Sequence, residues 1–210
     1  MSRPRLLDLF CCAGGAAMGY YRAGFDVVGV DIAPQPRYPF EFHQADALEY
    51  LAEHGYEFDA IHASPPCQAY SMAGQQWRSA GKVYADLVQP TRELLDKIGK
   101  PYVIENVPGS PLHNPVTLNG PLFKMRVRRT RLFETSFPMP LTLRPPEEPS
   151  TSRMGRPVLE GDVITPVGHF SNIDYARRVM DVAWMTGKEI TQAIPPAYTE
   201  YIGKFLLEAL

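Results

Sequence analysis

A cysteine on a rigid loop is the first residue of the sequence whose setting indicates chemistry. Cys67 lies in Ser-Pro-Pro-Cys-Gln-Ala-Tyr-Ser, residues 64–71, directly after the apolar run Phe58–Ala63. The two prolines stiffen this loop and restrict the residues before them, which fixes the direction of the Cys67 side chain. A thiol held in this way can act as a covalent nucleophile where nearby cations favour its thiolate. The structural alternative is a proline turn that contains a cysteine by chance.

A carboxylic acid ends a second apolar run. Glu105 follows Tyr102–Ile104 and opens the tripeptide Glu-Asn-Val, residues 105–107. Partial burial at this position raises the pKa of a carboxyl group and can keep it protonated near neutral pH. A protonated glutamic acid can donate to a ring nitrogen. The structural alternative is a glutamate that only terminates its strand.

A glycine-rich turn near the N-terminus indicates a nucleotide site. Residues 8–19, Asp-Leu-Phe-Cys-Cys-Ala-Gly-Gly-Ala-Ala-Met-Gly, predict a strand, a turn with Gly14 and Gly15, and a helix with Gly19 in its first turns. Glycines let a ligand approach the backbone, and the helix N-terminus offers free N–H groups. Asp31, at the end of the next strand, can accept hydrogen bonds from ribose hydroxyls. The spacing differs from the GxGxxG of dinucleotide sites, which disfavours a dehydrogenase, and a purely structural turn is the other alternative.

The elements that must position these residues are typical of an α/β fold. Short apolar runs alternate with helical patterns over the first hundred residues, which predicts a mostly parallel sheet with crossover helices. The predicted strands are Leu6–Phe10, Asp26–Val30, Phe58–Ala63 and Tyr102–Glu105. The predicted helices are Ala16–Ala23, Asp46–Glu53, Val83–Ile98 with a kink at Pro90, Asp174–Met185, and a last one from Pro195 to Leu210. Strand ends at 10, 31, 63 and 105 should meet at one edge of the sheet, where ligands of such folds bind.

Composition limits the remaining possibilities. The chain of 210 residues is 45% hydrophobic and predicts one domain, 1–210. No apolar run could span a bilayer, no signal-peptide pattern is present, and the three cysteines lack metal or disulfide spacing, so we expect a cytoplasmic protein without a metal site. The formal charge of −2 does not favour nucleic acid, but five basic residues fall within the eight positions 124–131. A solvated basic edge strand explains this cluster equally well.

Taken together, these motifs resemble those of the cytosine-5 DNA methyltransferases, and most closely the short methylases of bacteriophages and prophages. The resemblance rests on the order of the glycine motif, Asp31, Asp46, Pro-Pro-Cys, Glu-Asn-Val, the pair Arg129 and Arg131, and the segment 193–203. It implies a Rossmann-like fold that depends on S-adenosylmethionine, with a mostly parallel central sheet and helices on both faces. It also implies double-stranded DNA as the partner, a role in DNA methylation or restriction-modification, and a bacterial or phage-infected host cell.

The resemblance assigns a role to each matching residue. Cys67 would add to carbon 6 of a flipped cytosine, Glu105 would assist at N3, and Arg129 and Arg131 would hold the base carbonyl and nearby phosphate. Phe10 would pack on the adenine or sulfonium region of the cofactor. The further residues implied at the cofactor are Gly14, Gly15, Gly19, Asp31 at the ribose, Asp46 at the adenine amine, and Pro65. Those implied at the substrate are Pro66, Gln68, Ser71, Asn106 and Trp77, the last in a loop that could close over the base.

The sequence departs from the family pattern in three places. Val127 replaces a glutamine before the arginine pair, and Thr191-Gln192 replace a Gly-Asn pair in the last motif. Only about forty residues, 134–174, stand where a target-recognition domain is usual, and seven prolines between Pro138 and Pro166 predict a loop there. We therefore expect a short or relaxed target sequence, or specificity supplied by a partner or a second copy.

Three alternative functions remain open at this point. The same chemistry could act on RNA or on nucleotide cytosine, and nothing in the sequence excludes it. A non-catalytic DNA-binding or regulatory protein could keep the fold, although it would be expected to have lost Cys67 or Glu105. A methyltransferase acting on a small molecule would give the Pro-Pro-Cys loop no role.

Overall fold

The computed structural model describes residues 2–70, 79–81, 83–140, 143, 158–168 and 170–210. The strands are β1 (Arg5–Leu9), β2 (Asp26–Asp31), β3 (Glu41–Gln44), β4 (Ala60–Ala63), β5 (Tyr102–Asn106), β6 (Val116–Leu118) and β7 (Arg131–Thr135). The helices are α1 (Gly15–Ala23), α2 (Ala47–His54), α3 (Val88–Ile98), α4 (Ile173–Met180), α5 (Gly187–Ile190) and α6 (Pro196–Glu208), with 3-10 turns at Gly55–Glu57 and Gly120–Phe123. Within these ranges no helix is both long and apolar enough to cross a membrane.

The strands form one mixed sheet in the order β3-β2-β1-β4-β5-β7-β6. The first five are parallel, and β7 runs antiparallel to both β5 and β6. The predicted α/β fold with a mostly parallel sheet is therefore confirmed. The carboxyl ends of β1, β2, β4 and β5 meet at one edge, as the sequence indicated.

Both faces of the sheet are covered, which explains why its central strands are mostly apolar. Successive side chains of a strand point to opposite faces, so Leu6 packs with Tyr20 of α1 and Tyr198 of α6, while Leu7 packs with Leu51 of α2 and Leu95 of α3. A third cluster joins α4 and α5 to the β1–α1 turn. Two helical layers thus hold the ends of the central strands in fixed positions.

Several sequence predictions are wrong in detail. The helix predicted from Val83 begins at Val88, and Pro90 lies in its first turn without kinking it, because a proline there removes no intrahelical hydrogen bond. The helix predicted for Asp174–Met185 ends at Met180, where Asp181 adopts a left-handed conformation. Strands β3, β6 and β7 were not predicted at all.

The described residues between Pro138 and Pro166 form no helix or strand, in agreement with the predicted loop, but several of them are buried. Met139 is buried in the core formed with α1 and α6. Val163 and Ile164 are also buried, and Ile164 forms a parallel bridge with Val127. These short segments carry too few residues for a periodic signal, so their burial is not visible in the sequence.

Candidate functional site

A cavity of about 340 Å³ lies beyond the carboxyl ends of β1, β2, β4 and β5. Ten of the residues predicted for the site line it: Phe10, Gly15, Asp31, Asp46, Pro65, Pro66, Cys67, Gln68, Glu105 and Arg131. Others line it without having been predicted, among them Asp8, Cys12, Ile32, Ser64, Leu87, Met185 and the segment Thr191–Ile194. Residues from both ends of the chain therefore converge on one space.

The turn between β1 and α1 has an unusual backbone. Phe10 and Cys12 adopt left-handed conformations, with φ of 57° and 45°, and Gly14 follows with φ of 79°. Such residues are uncommon outside glycine and cluster at functional sites. No side chain caps α1, so its first N–H groups are left for other acceptors. The turn places Phe10 in the cavity wall next to this helix N-terminus.

The three glycines of the motif serve different purposes. Gly15 lines the cavity, and a Cβ there would lie 2.4 Å from the carbonyl oxygen of Ile194. Gly14 and Gly19 do not line it. Gly14 is needed for its left-handed turn, and a Cβ on Gly19 would lie 2.1 Å from the carbonyl oxygen of Pro196 at the start of α6. The close packing of α1 on α6 thus accounts for a glycine at position 19, and its predicted contact with the cofactor stays a prediction.

Asp31 and Asp46, the two aspartates predicted to bind the cofactor, line the cavity and already accept hydrogen bonds from the backbone. The oxygens of Asp31 accept from the backbone N–H of Cys12 at 3.0 Å and of Ala33 at 2.9 Å. Asp46 caps α2, and its Oδ1 accepts from the N–H groups of Leu48 and Glu49. These bonds fix the direction of both side chains, and each carboxylate retains lone pairs for a ligand.

Asp8 is a cavity residue that the sequence predictions missed. Its side chain is fully buried, and burial raises its pKa to about 8. Oδ2 accepts from the hydroxyl of Tyr38 at 3.2 Å, whereas Oδ1 has no hydrogen-bond partner. An aspartate inside an apolar strand was the signal that could have revealed it. Because buried acceptors normally have a hydrogen-bond partner, we expect Oδ1 of Asp8 to accept from a donor group of a ligand.

Asn106 holds the loop that carries the cysteine. Its Nδ2 donates to the carbonyl oxygen of Pro65 at 3.0 Å, and its Oδ1 accepts from the N–H of Val107. Asn106 is buried at the end of β5 and does not line the cavity. The residue predicted to bind substrate therefore sits behind the Pro65–Cys67 loop and fixes it to the sheet.

Glu105 and Arg131 form a nearly buried ion pair at the cavity. Nε of Arg131 lies 2.8 Å from Oε1 of Glu105, but no N–H is directed at that oxygen, which has no hydrogen-bond partner. Burial raises the pKa of Glu105, and Arg131, Arg129 and a hydrogen bond from Ser64 oppose this rise. The environment therefore matches the predicted glutamic acid that can exist in its protonated form.

Cys67 is a free thiol in the same cavity. Burial and the charge of Glu105 raise its pKa, while Arg131 and Arg129 lower it. Cys12 also lines the cavity, but burial and nearby carboxylates raise its pKa to about 12. Three cysteines line the cavity, Cys11, Cys12 and Cys67, and Cys67 is the one whose pKa is lowered by arginines, which favour its thiolate.

Arg129 lies behind the site and is almost completely buried. Its guanidinium donates to the carbonyl oxygens of Ala193, Thr191 at 2.6 Å and Pro166 at 3.2 Å. Arg129 does not line the cavity. Its contacts tie the C-terminal cavity segment to the residues just before β7, and its predicted contact with a base or phosphate stays a prediction.

Ser71 and Trp77, both predicted to bind substrate, lie outside the described residues. Among the residues that the structure does describe, no three His, Cys, Asp or Glu side chains are grouped as a metal site would require. The cavity thus brings together the thiol of Cys67, the carboxyl group of Glu105, the guanidinium of Arg131 and the N-terminus of α1.

Comparison with known proteins decides the family. A family model described as C-5 cytosine-specific DNA methylase matches residues 4–119, more than half of the chain. The chain belongs to this family. Membership confirms the resemblance drawn from the motifs and implies S-adenosylmethionine as the methyl donor. The match ends before Arg129 and Arg131, so the C-terminal motifs rest on the chain's own geometry.

Curated proteins similar to this chain match about half of it. Type II methyltransferase M.XorII of Xanthomonas oryzae is 32% identical over 127 residues, which are 52% of this chain and 29% of that protein. Type II methyltransferase M.AquIA of Picosynechococcus is 28% identical over 124 residues, 50% of this chain and 49% of that protein. The matched segments thus span less than half the length of these relatives.

Solved structures share the whole fold. A prophage-encoded chain of E. coli described as a DNA modification methyltransferase superposes with a TM-score of 0.62 at 16% identity, covering 98% of this chain and 99% of that one. The methyltransferase EhMeth of Entamoeba histolytica gives 0.66 at 12% identity, covering 100% and 99%. The fold is therefore that of a Rossmann-like methyltransferase.

Proposed function

We propose that this protein transfers a methyl group from S-adenosylmethionine to carbon 5 of cytosine in double-stranded DNA, through a covalent bond between Cys67 and carbon 6. One observation carries the proposal. Cys67, Glu105 and Arg131 line the same cavity as the β1–α1 turn and Asp31. The groups needed to activate a pyrimidine and those suited to a nucleoside thus face a shared space.

The residues present fit S-adenosylmethionine. When bound, it supplies an electrophilic methyl group on a sulfonium. The cavity of about 340 Å³ is within the size range of small-molecule sites. Asp31 would accept from the ribose hydroxyls and Asp46 from the adenine amine, with Phe10 packed against the ligand. The unpartnered Oδ1 of Asp8 offers an acceptor for a cationic amino group.

The chain's own side chains would activate the base. Sγ of Cys67 forms a bond to carbon 6, and the electrons of the ring double bond move toward carbon 5. Glu105, as the protonated acid, would donate at N3, and Arg131, which lines the same cavity, would donate to the base carbonyl. Carbon 5 then takes the methyl group, a base removes its proton, and the returning electrons expel the thiolate of Cys67.

Loop rigidity supports the nucleophilic role of Cys67. The bond from Asn106 to Pro65 holds the loop at the edge of the sheet, so the thiol keeps its position while the target base enters. The target atom is not reachable inside a duplex, and the base must therefore be flipped into the cavity. Burial raises the pKa of Glu105, which supports its proposed role as an acid.

The test is methyl transfer with three acceptors. The protein is incubated with labelled S-adenosylmethionine and double-stranded DNA, RNA or cytidine nucleotides, with Cys67→Ala as the control. We expect label in DNA as 5-methylcytosine and none with the control. Label that enters RNA or a nucleotide instead would assign the same chemistry to another acceptor, and cofactor binding without transfer to any acceptor would favour a regulatory DNA-binding protein.

The short region 134–174 leads to a second expectation about the target. Few side chains in about forty residues can reach base edges in the major groove, so we propose a short or relaxed recognition sequence, or one supplied by a partner or a second copy. Bisulfite sequencing of DNA from cells that express the protein measures this. A strict site of about six or more base pairs, read by the isolated monomer, contradicts the expectation.

A further inference from the structure

A chain of polar side chains runs from α1 through the end of β4 to Glu105. The hydroxyl oxygen of Tyr20 lies 2.9 Å from Nδ1 of His62, and Nε2 of His62 lies 2.8 Å from Oγ of Ser64. Ser64 in turn lies close enough to the carboxyl group of Glu105 for its hydroxyl to lower the pKa of that group by hydrogen bonding. Tyr20 and His62 are fully buried beneath the cavity. The proposed methyl transfer gives neither of them a role.

The hydrogen bonds in this chain have a defined direction. Burial lowers the pKa of His62 to about 3, so the imidazole is neutral, with one nitrogen donating and the other accepting. Tyr20 keeps its proton because burial raises its pKa well above the usual value. Within the described part of the chain, Nδ1 of His62 is the one hydrogen-bond partner of this hydroxyl. A proton on Nδ1 would leave the Tyr20 proton buried without an acceptor, so Nδ1 accepts and Nε2 donates.

The direction continues from His62 to the carboxyl group. The oxygen of Ser64 receives the proton of Nε2, and the hydroxyl has only one proton of its own to give. That proton is therefore directed at Glu105. A donor aimed at a carboxyl group stabilises its ionised form and not its protonated form.

We propose that His62 and Ser64 are positioning residues that favour the carboxylate form of Glu105 through this directed chain, against the burial that favours its protonated form. The inference rests on the proposed function for its role in the reaction. Burial at the cavity favours the acid, whereas Ser64 and Arg131 favour the carboxylate. Glu105 is balanced between two protonation states, as a group that takes up and returns a proton must be.

Other ionisable groups lie near these hydrogen-bonded side chains, and the test must separate their effects on Glu105 from the effect of Ser64. Those facing Glu105 are Arg129 and Arg131 on the β7 side, Cys67 on its loop, Cys12 in the β1–α1 turn, and Tyr20. Asp8 is the register partner of His62 on β1, and Tyr38 donates to it. Removing the Ser64 hydroxyl changes none of these groups, which makes it the sharpest substitution.

The experiment is a carbon-13 NMR titration of the glutamate carboxyl groups in the full chain, without DNA or methyl donor. Glu105→Gln identifies the Glu105 signal. Ser64→Ala should raise the pKa of Glu105 by about one pH unit, and Ser64→Thr, which keeps a hydroxyl, should restore it. Tyr20→Phe allows the imidazole proton to move from Nε2 to Nδ1, where it no longer donates to Ser64, and should give a smaller rise in the pKa of Glu105. Tyr175→Phe removes another buried tyrosine hydroxyl, bonded to the carbonyl oxygen of Asp162, and should cause no shift.

The outcomes separate this inference from the proposed function. If neither Ser64→Ala nor Tyr20→Phe raises the pKa of Glu105, the directed chain is overturned, whether or not the protein methylates DNA. If the pKa rises but no cytosine is methylated, the chain stands and the proposed function fails. A pKa that rises equally in Tyr175→Phe would trace the effect to general loosening of the fold and would also overturn the inference.

Discussion

Nε of Arg131 lies 2.8 Å from Oε1 of Glu105, yet the guanidinium directs no N–H at that oxygen. The contact is an ion pair, and it couples three groups at the cavity. Arg131 lowers the pKa of both Glu105 and Cys67, while Glu105 raises the pKa of Cys67. Substitutions of the two partners should therefore change the reactivity of the thiol in opposite directions.

Alkylation of Cys67 by iodoacetamide measures this coupling. Arg131→Gln removes a cation and should slow alkylation near neutral pH, whereas Glu105→Gln removes an anion and should accelerate it, each by up to about tenfold for a shift of one pKa unit. Mass spectrometry of the Cys67 peptide separates it from Cys11 and Cys12, whose pKa values burial raises.

The control for this experiment is Arg126→Gln. Arg126 is an exposed arginine of the same basic segment that donates to the carbonyl oxygen of Gly161, and its loss should leave the alkylation rate unchanged. Shifts of the same sign in Arg131→Gln and Glu105→Gln would show that the pair does not set the charge at the thiol.

Asp8 should make the stability of the protein depend on pH. Burial raises its pKa from 3.8 to about 8, so between these values the folded state holds a proton that the unfolded state has released. His62, whose pKa burial lowers from 6.5 to about 3, has the opposite effect and offsets this slope below about pH 6.5. The free energy of unfolding should therefore fall chiefly between about pH 6.5 and 8, by about 1 kcal/mol per pH unit. Urea unfolding at several pH values measures this slope.

Asp8→Asn should remove most of that slope, because the amide does not titrate. Asp26→Asn, at the exposed start of β2, is the matched control and should keep it. An unchanged slope in Asp8→Asn would mean that another group causes the pH dependence.

Gly19→Ala tests whether this glycine serves packing. The new Cβ would lie 2.1 Å from the carbonyl oxygen of Pro196 and from Oγ1 of Thr199, so α1 and α6 must separate. We expect a loss of about 2 kcal/mol in the free energy of unfolding. Gly187→Ala, whose Cβ meets only the flexible end of Ile173 at 3.0 Å, should cost less. If Gly19→Ala had normal stability but did not bind S-adenosylmethionine, Gly19 would be assigned to the cofactor site.

Asn106→Ala tests the anchoring of the cysteine loop. It leaves the carbonyl oxygen of Pro65 without its donor and should reduce kcat for DNA methylation about tenfold or more. The Kd for S-adenosylmethionine, measured by calorimetry, should change much less. Equal losses in turnover and cofactor affinity would instead indicate a general effect on the fold.

The sequence predicted the central part of the fold because strands covered on both faces give continuous apolar runs. It did not reveal β3, β6 and β7, which stand in the outer half or at the edge of the sheet and carry exposed or charged residues. Strand β7 reads Arg-Leu-Phe-Glu-Thr, and its charged ends are explained only by distant partners. Glu134, for example, pairs with Arg92 of α3 at 2.7 Å.

The residues of the candidate site likewise include some that the sequence could place and others that it could not. Residues directly after strand ends, such as Asp31 and Glu105, could be placed because parallel strands end at one edge. The sequence order could not tell which residues face the cavity and which support it from behind. Arg129 and Asn106 belong to the second group, because their partners are backbone carbonyl groups that no motif specifies. The chain of Tyr20, His62 and Ser64 depends on side chains meeting across two elements and was equally invisible.

The most direct test of the central claim is trapping with double-stranded DNA that contains 5-fluorocytosine, in the presence of S-adenosylmethionine. The fluorine at carbon 5 cannot be removed as a proton is, so the bond between protein and base should persist. We predict a denaturation-resistant protein–DNA adduct that maps to Cys67, requires the methyl donor and is absent in Cys67→Ala. Methylation of ordinary DNA by Cys67→Ala at the wild-type rate would contradict the account.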